Sequence, residues 1–236
     1  MLQNRYHDIL RAHNQDILNL SPANQTMRVE LALEIKKILE QKSDAKVLEI
    51  GVGEGDLTKH IIQHNSGIVL DCLDLSPEMI SSAQKVVSIL NRVWLQTKGI
   101  SFIQDDAYNF LDKAKDNTYD IITSAWTIHN FTEKDQKRLF EKIYDKLQKG
   151  WTMLMMDKVY TDDVQENMRL LRLQNARYRY LNPEAKNAIT IHEMQDYDSN
   201  YRMEESRIKL ALKETWFRDI QILDRIERGV LLTAKK

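Results

Sequence analysis

Cysteine, proline and glycine are scarce in this chain of 236 residues, which has one, three and seven of them. The single Cys72 excludes an intramolecular disulfide and fits a reducing compartment. Cys72 lies in an apolar run, so it is expected to be a small buried hydrophobe. An excess of charge is also missing, because 34 basic and 35 acidic residues give a net charge of −1. Proteins that bind nucleic acid usually carry a basic excess or patch, so we expect no nucleic-acid partner.

Long apolar runs are missing as well. The first ten residues, MLQNRYHDIL, contain no apolar core of signal-peptide length. No later run reaches the ~18–20 apolar residues of a membrane span. We therefore expect a soluble, cytoplasmic protein without membrane contact, either a monomer or a homodimer. Since ~100–200 residues usually make one domain, we expect a single domain over residues 1–236.

Short apolar segments alternate with predicted helices along most of the chain. Residues 2–41 are predicted to be helical, and Ser21-Pro22 is typical of a helix start, with a hydroxyl N-cap and proline at the first position. Ser76-Pro77 has the same signature, and Thr132 with Asp135 is a capping-box variant that predicts a helix at 133–148. The five predicted strands are 47–50, 67–74, 100–106, 119–126 and 151–159. Strands that alternate with helices favour a parallel sheet covered on both faces.

The C-terminal end follows a different pattern. A predicted helix at 203–215 precedes two apolar segments, 220–227 and 229–236, separated only by Arg228. Strands this close cannot be joined by a crossover helix, so they must be antiparallel. The sequence therefore predicts an α/β fold with a Rossmann-like, doubly wound sheet of seven strands. The sheet is mostly parallel, with an antiparallel C-terminal strand and a helical N-terminal extension.

Three of the seven glycines lie within five residues, in the run Glu49-Ile-Gly51-Val-Gly53-Glu-Gly55. This run follows the first predicted strand and precedes a helix. Glycine permits positive φ and lets a ligand contact the backbone, and a helix start supplies N–H groups without intrahelical partners. In an open α/β sheet, ligands bind at this edge of the strands.

The spacing of this turn distinguishes two classes of ligand. The dinucleotide fingerprint GxGxxG would require glycine at position 56, where the chain has Asp56. The carboxylate of Glu49 would repel a pyrophosphate and attract a cationic amino group. The pattern favours a sulfonium-bearing nucleoside, and a dinucleotide oxidoreductase is the less favoured alternative.

Further polar residues follow the next strands. Asp74 ends the second strand, where a carboxylate can accept hydrogen bonds from ribose hydroxyls. Asp106 follows the third strand and can accept from the exocyclic amine of adenine, with the adjacent Ala107 N–H as a second contact. After the fourth strand, the segment from Ser124 to Phe131 is expected to border the reactive end of the ligand.

Four stretches, VLEIGVGEGDLT, CLDLSPEM, QDDA and YDIITSAWTIHNF, resemble in order and spacing the class I S-adenosylmethionine-dependent methyltransferases. The resemblance covers roughly residues 45–160. It implies S-adenosyl-L-methionine as cofactor and in-line transfer of its methyl group to a small-molecule acceptor. The cofactor-binding residues that it implies are Glu49, Gly51, Gly53, Gly55, Asp74, Leu75, Met79, Asp106, Ala107, Ser124 and Trp126.

The chain departs from this family at two places. Relatives often have Ala-Gly-Phe before the sixth strand, whereas this chain has Thr215-Trp216-Phe217. Because a helix end usually takes glycine in the left-handed conformation, we expect this corner to be built differently. Many small-molecule relatives have two histidines after the fourth strand, and here they are His129 and Asn130. His129 is therefore the candidate catalytic base, needed only if the acceptor must lose a proton.

Residues 160–201 form a segment longer than the usual connection, with a predicted helix at 162–181. We expect this segment and residues 1–41, as a helical lid, to cover the acceptor. The candidate substrate-binding residues are Tyr6, Arg172, Tyr178 and His192, and an arginine fork would suit an anionic acceptor. We expect no metal, because no His, Asp or Glu cluster has a ligand spacing.

Three other functions stay open. One is a nucleic-acid or protein methyltransferase, although base-amine enzymes of this fold carry a proline-containing turn where this chain has Ser124-Ala125-Trp126-Thr127. Another is a different use of the same donor, as in conversion to carboxy-S-adenosylmethionine. The last is a non-catalytic protein that binds the donor.

Overall fold

The structure is a computed structural model that describes residue 16 and residues 19–40, 42, 44–91, 98–197 and 200–236. Tyr6 and most of the predicted helical segment before residue 19 lie outside the described residues. Within the described part of the chain, no helix is both long and apolar enough to cross a membrane.

Helices and strands alternate from residue 22 onward. The helices are α1 (Pro22–Leu39), α2 (Asp56–His64), α3 (Pro77–Asn91), α4 (Ala107–Lys113), α5 (Glu133–Lys146), α6 (Val164–Tyr178), α7 (Pro183–Asp196) and α8 (Glu205–Glu214), with a short 3-10 helix at Ile128–Asn130. The strands are β1 (Lys46–Ile50), β2 (Val69–Asp74), β3 (Gly99–Gln104), β4 (Tyr119–Ala125), β5 (Leu147–Lys158), β6 (Arg218–Ile226) and β7 (Gly229–Lys235).

These strands form one seven-stranded sheet in the order β3-β2-β1-β4-β5-β7-β6. Strand β1 pairs in parallel with both β2 and β4, and β7 is antiparallel to both β5 and β6. The predicted mostly parallel sheet with its antiparallel C-terminal strand is confirmed. The strand order reverses between β1 and β4, which is where ligands bind in open sheets of this kind.

The core lies on both faces of the sheet. Neighbouring residues of one strand belong to different apolar clusters, as with Val47 and Leu48 in β1. This follows from the period of two in a strand, which sends alternate side chains to opposite faces. Helices α1, α2 and α3 cover one face, and α4, α5 and α8 cover the other. The sheet is therefore doubly wound, and Cys72 is fully buried in it.

The predicted helix starts are found with one difference in detail. The Ser76 hydroxyl accepts from the Met79 backbone N–H at the start of α3, and Thr132 accepts from that of Asp135 at the start of α5. Pro22 begins α1 as predicted, but the Ser21 side chain makes no capping hydrogen bond.

The corner after α8 corrects one expectation. Trp216 takes a left-handed φ of 71° and leaves its side chain 74% exposed. The Phe217 N–H then donates to the Leu212 carbonyl at 3.0 Å, as in a glycine-ended helix. The expectation of a different corner was wrong, because tryptophan here adopts the conformation that glycine usually provides.

Residues 160–201 contain two helices, whereas the sequence predicted only one, at 162–181. Helix α7 begins at Pro183, with the Asn182 side chain accepting from the Ala185 N–H at 2.8 Å. The break between α6 and α7 turns the chain back, so that both helices contribute to the cavity described below.

Candidate active site

A cavity of about 500 Å³ lies at the carboxyl ends of the parallel strands. Nine of the eleven predicted cofactor residues line it: Glu49, Gly51, Gly53, Asp74, Leu75, Met79, Asp106, Ala107 and Trp126. Gly55 and Ser124 are not among the lining residues. Helices α1, α6 and α7 and the β6–β7 turn complete the wall.

The glycine turn has the conformation that its sequence predicts. Gly51, Gly53 and Gly55 all have positive φ. A Cβ on Gly51 would lie 2.2 Å from Thr127 Oγ1, so no side chain fits there. Gly55 is the N-cap of α2, and a Cβ added to it would lie 3.0 Å from the Cα atom of Ala83 in α3. Its role is therefore helix packing, while Gly51 and Gly53 form the wall of the cavity.

Glu49 is a buried acid at the floor of this turn. Its carboxylate accepts from the Thr58 hydroxyl at 2.7 Å. Burial raises the pKa of Glu49 to about 8, because the charged form loses its hydration. A cationic ligand group placed beside Glu49 would favour the ionised carboxylate.

Asp74 joins the first two loops of the site. Its Oδ2 accepts from the Gly53 N–H and its Oδ1 from the Ser76 N–H, each at 2.9 Å. These bonds fix the plane of the carboxylate. Because each carboxylate oxygen can accept more than one hydrogen bond, ribose hydroxyls can share it.

Asp106 has a structural task in addition to its place in the cavity. It is the N-cap of α4, where Oδ1 accepts from the backbone N–H groups of Tyr108 and Asn109. Ala107 follows it into the helix. Met79 is almost fully buried beside the cavity, and Leu75 is half exposed at its edge.

A residue with a strained backbone directly follows strand β4. Trp126 has a φ of 55°, which is uncommon for a bulky side chain, while its N–H donates to the Met156 carbonyl at 2.8 Å. Strain of this kind clusters at functional sites. Ser124, two residues earlier, is buried within the strand.

His129 is held by a carboxylate that the sequence analysis did not select. Its Nδ1 lies 2.5 Å from Oδ1 of Asp157, the penultimate residue of β5. Asp157 is fully buried and also accepts from the backbone N–H groups of Ile128 and Lys158, at 2.7 and 2.8 Å. A signal was available, since Asp157 ends a parallel strand at the same edge as Asp74.

The predicted substrate residues separate into two groups. Tyr178 and His192 are buried and line the cavity. Arg172 is exposed on α6 and is not among the lining residues, whereas Arg177 is. Tyr6 lies outside the described residues. The structure thus brings His129, Tyr178 and His192 together and leaves Arg172 outside.

A buried ion-pair network, also missed from the sequence, connects α7 to the sheet. Lys158 Nζ lies 2.8 Å from Glu193 Oε1 and 2.5 Å from Asp196 Oδ2. Arg228, in the β6–β7 turn, donates to Glu193 at 2.8 Å. These charges lower the pKa of Glu193 to about 2 against the opposing effect of burial. The network fixes α7, and with it His192, against the cavity.

Sequence spacing indicated no metal-ligand cluster, but the fold brings three potential ligands together. Ligand atoms of His129, His192 and Asp196 lie within 4.8 Å of one another. Lys158 already occupies Asp196 Oδ2, so a cation would compete with this ammonium group. We therefore treat the cluster as part of the polar wall.

Residues 47–150 match the family model that describes a methyltransferase domain. These residues thus resemble a methyltransferase domain, which supports the predicted likeness to the class I S-adenosylmethionine-dependent methyltransferases. A malonyl-(acyl-carrier protein) O-methyltransferase of Paenibacillus sp. (strain JDR-2) is 32% identical over 114 residues, which are 44% of this chain and 38% of that protein. A non-reducing polyketide synthase of Penicillium brasilianum is 29% identical over 127 residues, 50% of this chain and 5% of the synthase.

The matched segments thus span less than two thirds of these curated relatives. Among solved structures, the CurJ carbon methyltransferase superposes with a TM-score of 0.69 at 14% identity, over 97% of this chain and 61% of that one. At this identity the superposition shows the shared fold alone.

The residues of this domain fit S-adenosylmethionine. The Gly51 and Gly53 backbone lies against the cavity, and a Cβ on Gly53 would meet open space. The buried Glu49 suits an ammonium group, and Asp74 suits a ribose. The fit rests on the chemistry of these donors and acceptors, each of which lines the same cavity.

Proposed function

We propose that this protein transfers a methyl group from S-adenosylmethionine to a small-molecule acceptor, with His129 as general base. The observation that carries the proposal is the His129–Asp157 pair, which lies in the wall of the cavity that the glycine turn and Asp74 also line. A carboxylate only accepts hydrogen bonds, so His129 Nδ1 carries the proton between them. Nε2 is then the nitrogen that can take a proton from the acceptor.

The remaining residues have positioning roles in this proposal. Asp157 holds the imidazole in one tautomer and stabilises the imidazolium that forms when the proton arrives. Glu49, Asp74 and Asp106 bind the ammonium, ribose and adenine groups of the cofactor. When bound, S-adenosylmethionine supplies an electrophilic methyl carbon, which the acceptor attacks in line with the leaving sulfur.

Alignment accounts for much of the expected acceleration. Holding two reactants in attack geometry can contribute ~7–11 kcal/mol to catalysis. Helices α6 and α7 of residues 160–201 and helix α1 contribute side chains to the cavity, among them Gln174, Tyr178 and Arg28. We propose that these segments cover the acceptor and exclude water. The name of the malonyl-(acyl-carrier protein) O-methyltransferase, which acts on an acyl group, supports an acceptor with a carbonyl group.

Calorimetry of the pure protein is the first test. S-adenosylmethionine and S-adenosylhomocysteine are expected to bind at micromolar concentration, with NADH as a silent control. Methyl transfer is then followed as S-adenosylhomocysteine release across a panel of hydroxyl and carbonyl acceptors. Binding without turnover on any acceptor would favour a donor-binding protein, and loss of donor without S-adenosylhomocysteine would favour other chemistry on the same donor.

A further inference from the structure

All the basic side chains of lysine and arginine that line the described part of the cavity are held near carboxylates. The pairs are Arg28–Asp56, Lys158–Glu193, Lys158–Asp196, Arg177–Glu227 and Arg228–Glu193. Lys158 and Arg228 are themselves buried. An anionic acceptor that bound Lys158 or Arg228 would have to displace the buried Glu193 or Asp196 and leave that carboxylate without compensation, which is strongly unfavourable.

Three uncharged groups in the same wall, in contrast to these paired cations, have no hydrogen-bond partner in the part of the chain that the structure describes. Among the described residues, Trp126 Nε1, Asn130 Oδ1 and His192 Nδ1 are buried without a hydrogen-bond partner. All three residues line the cavity. Most buried polar atoms are hydrogen-bonded, so groups without partners at a cavity wall indicate hydrogen bonds to a ligand.

These groups surround the proposed base. The ring centroid of His129 lies 6.3 Å from that of Trp126 and 6.0 Å from that of His192, with both pairs edge to face. Asn130 follows His129 in the 3-10 helix. We call the region lined by Trp126, His129, Asn130 and His192 the acceptor chamber.

The acceptor chamber offers hydrogen bonds without adding charge. The Trp126 indole can only donate and the Asn130 carbonyl can only accept. Burial lowers the pKa of His192 to about 4, so this ring is neutral near pH 7 and has one N–H and one lone pair. His192 is only 6% exposed, so a hydrogen bond from its ring to a ligand would be shielded from water.

We propose that the acceptor chamber binds an uncharged, enolisable carbonyl compound, whose oxygen accepts from Trp126 Nε1 while His192 and Asn130 contact its second polar group. This inference rests on the proposed function and adds the substrate class. An imidazole base suits a proton that a neighbouring carbonyl acidifies. As His129 takes this proton, the electron pair moves onto the oxygen, where an aligned N–H stabilises the charge. The resulting carbon nucleophile forms the bond to the methyl group as the bond to sulfur breaks.

A matched pair of probes tests the charge of the acceptor. Methyl acetoacetate and acetoacetate share the β-keto group and differ in one negative charge. Binding of each to the protein saturated with S-adenosylhomocysteine is measured by calorimetry, which needs no turnover. The ester is expected to bind at least tenfold more tightly than the acid. Equal or tighter binding of the acid, or no detectable binding of the ester at millimolar concentration, would overturn the proposal.

Trp126→Phe tests the contact itself, because it keeps an aromatic ring and removes the N–H. It is expected to weaken ester binding about tenfold in protein saturated with S-adenosylhomocysteine. The affinity for S-adenosylhomocysteine is measured separately, because Trp126 is also a predicted cofactor-binding residue. Trp216→Phe is a matched control. Trp216 also has a left-handed backbone conformation, but its side chain is exposed and it is not among the residues that line the cavity. An unchanged ester affinity in Trp126→Phe would refute the assigned hydrogen bond. The comparison of ester and acid on the unmodified protein tests the charge preference even if this variant fails to fold.

The outcomes separate this inference from the proposed function. Selective ester binding without methylated product would retain the acceptor chamber and contradict the methyl-transfer proposal. Methyl transfer to anionic acceptors, with the acid bound more tightly than the ester, would retain the proposed function and reject an uncharged acceptor.

Discussion

His129 Nδ1 and Asp157 Oδ1 lie 2.5 Å apart, although 28 residues separate them in the chain. The histidine comes from the 3-10 helix after β4 and the aspartate from the end of β5. The pair forms because β4 and β5 are neighbouring parallel strands whose carboxyl ends meet at one edge of the sheet.

Asp157→Asn is expected to lower kcat by about 10²–10⁴-fold, the range of general acid–base catalysis. The asparagine amide keeps the shape of the aspartate side chain, but it can donate as well as accept a hydrogen bond. It therefore no longer restricts the proton of His129 to Nδ1. The dissociation constant of S-adenosylhomocysteine is expected to stay unchanged, since Asp157 does not bind the cofactor in this proposal. Steady-state kinetics and calorimetry measure the two quantities.

The control for this variant is His129→Gln. Since the two residues act as a unit, the double variant is expected to lose no more than His129→Gln alone. Full activity of Asp157→Asn together with inactive His129→Gln would show that Asp157 does not act through the histidine. Asp157 also accepts hydrogen bonds from the backbone, so the variant could lose activity by unfolding. Thermal denaturation checks that the variant stays folded at the assay temperature.

Glu49 is expected to make stability depend on pH. Its pKa is raised by burial from 4.5 to about 8 in the folded protein. Between these values the folded state holds a proton that the unfolded state has released, so the contribution of Glu49 to the free energy of unfolding falls as pH rises. The maximal slope is about 1.4 kcal/mol per pH unit. Urea denaturation at several pH values measures it.

Glu49→Gln is expected to flatten this dependence, because glutamine does not titrate. Asp112→Asn serves as a surface control, since Asp112 is exposed and pairs with Lys142. An equal slope in Glu49→Gln and the unmodified protein would mean that Glu49 is ionised in the folded state.

Asp74→Ala is expected to weaken S-adenosylmethionine binding at least tenfold. The change removes acceptors for the ribose and for the Gly53 and Ser76 N–H groups, and hydrogen bonds to a charged group contribute ~1.5–3 kcal/mol each. Calorimetry measures the affinity, with Asp112→Ala as control. If Asp74→Ala binds the cofactor with normal affinity, the ribose is held elsewhere.

Trp216→Gly is expected to stabilise the protein by about 0.5–1 kcal/mol. The left-handed conformation costs a non-glycine residue ~1–2 kcal/mol, and the entropy of a more flexible unfolded chain offsets part of the gain. The exposed indole makes little packing contribution. Denaturant titration measures the change. Asn117→Gly is the control, since asparagine tolerates its φ of 53° better and is expected to gain less. Destabilisation of Trp216→Gly would show that the indole packs more favourably than its exposure indicates.

The helix starts show how far local signals reach. Pro22, Pro77 and Thr132 marked real helices because capping depends on residues adjacent in sequence. Asn182-Pro183 has the same signature and was overlooked, although it begins α7. At the Thr215-Trp216 corner, the absence of glycine led to the wrong prediction that the helix would end differently. The helix and strand on either side impose a left-handed conformation on Trp216 that tryptophan does not prefer.

The sequence by itself determined the seven-stranded sheet, the glycine turn and the places of Glu49, Asp74 and Asp106. Each depends on a local period or on the rule that parallel strands end at one edge. Only the tertiary structure decided that Asp157 holds His129, that Lys158 and Arg228 are neutralised by α7, and that Arg172 stays outside the cavity. These contacts join residues far apart in the chain, and their partners are chosen by how helices pack on the sheet, which no local pattern encodes.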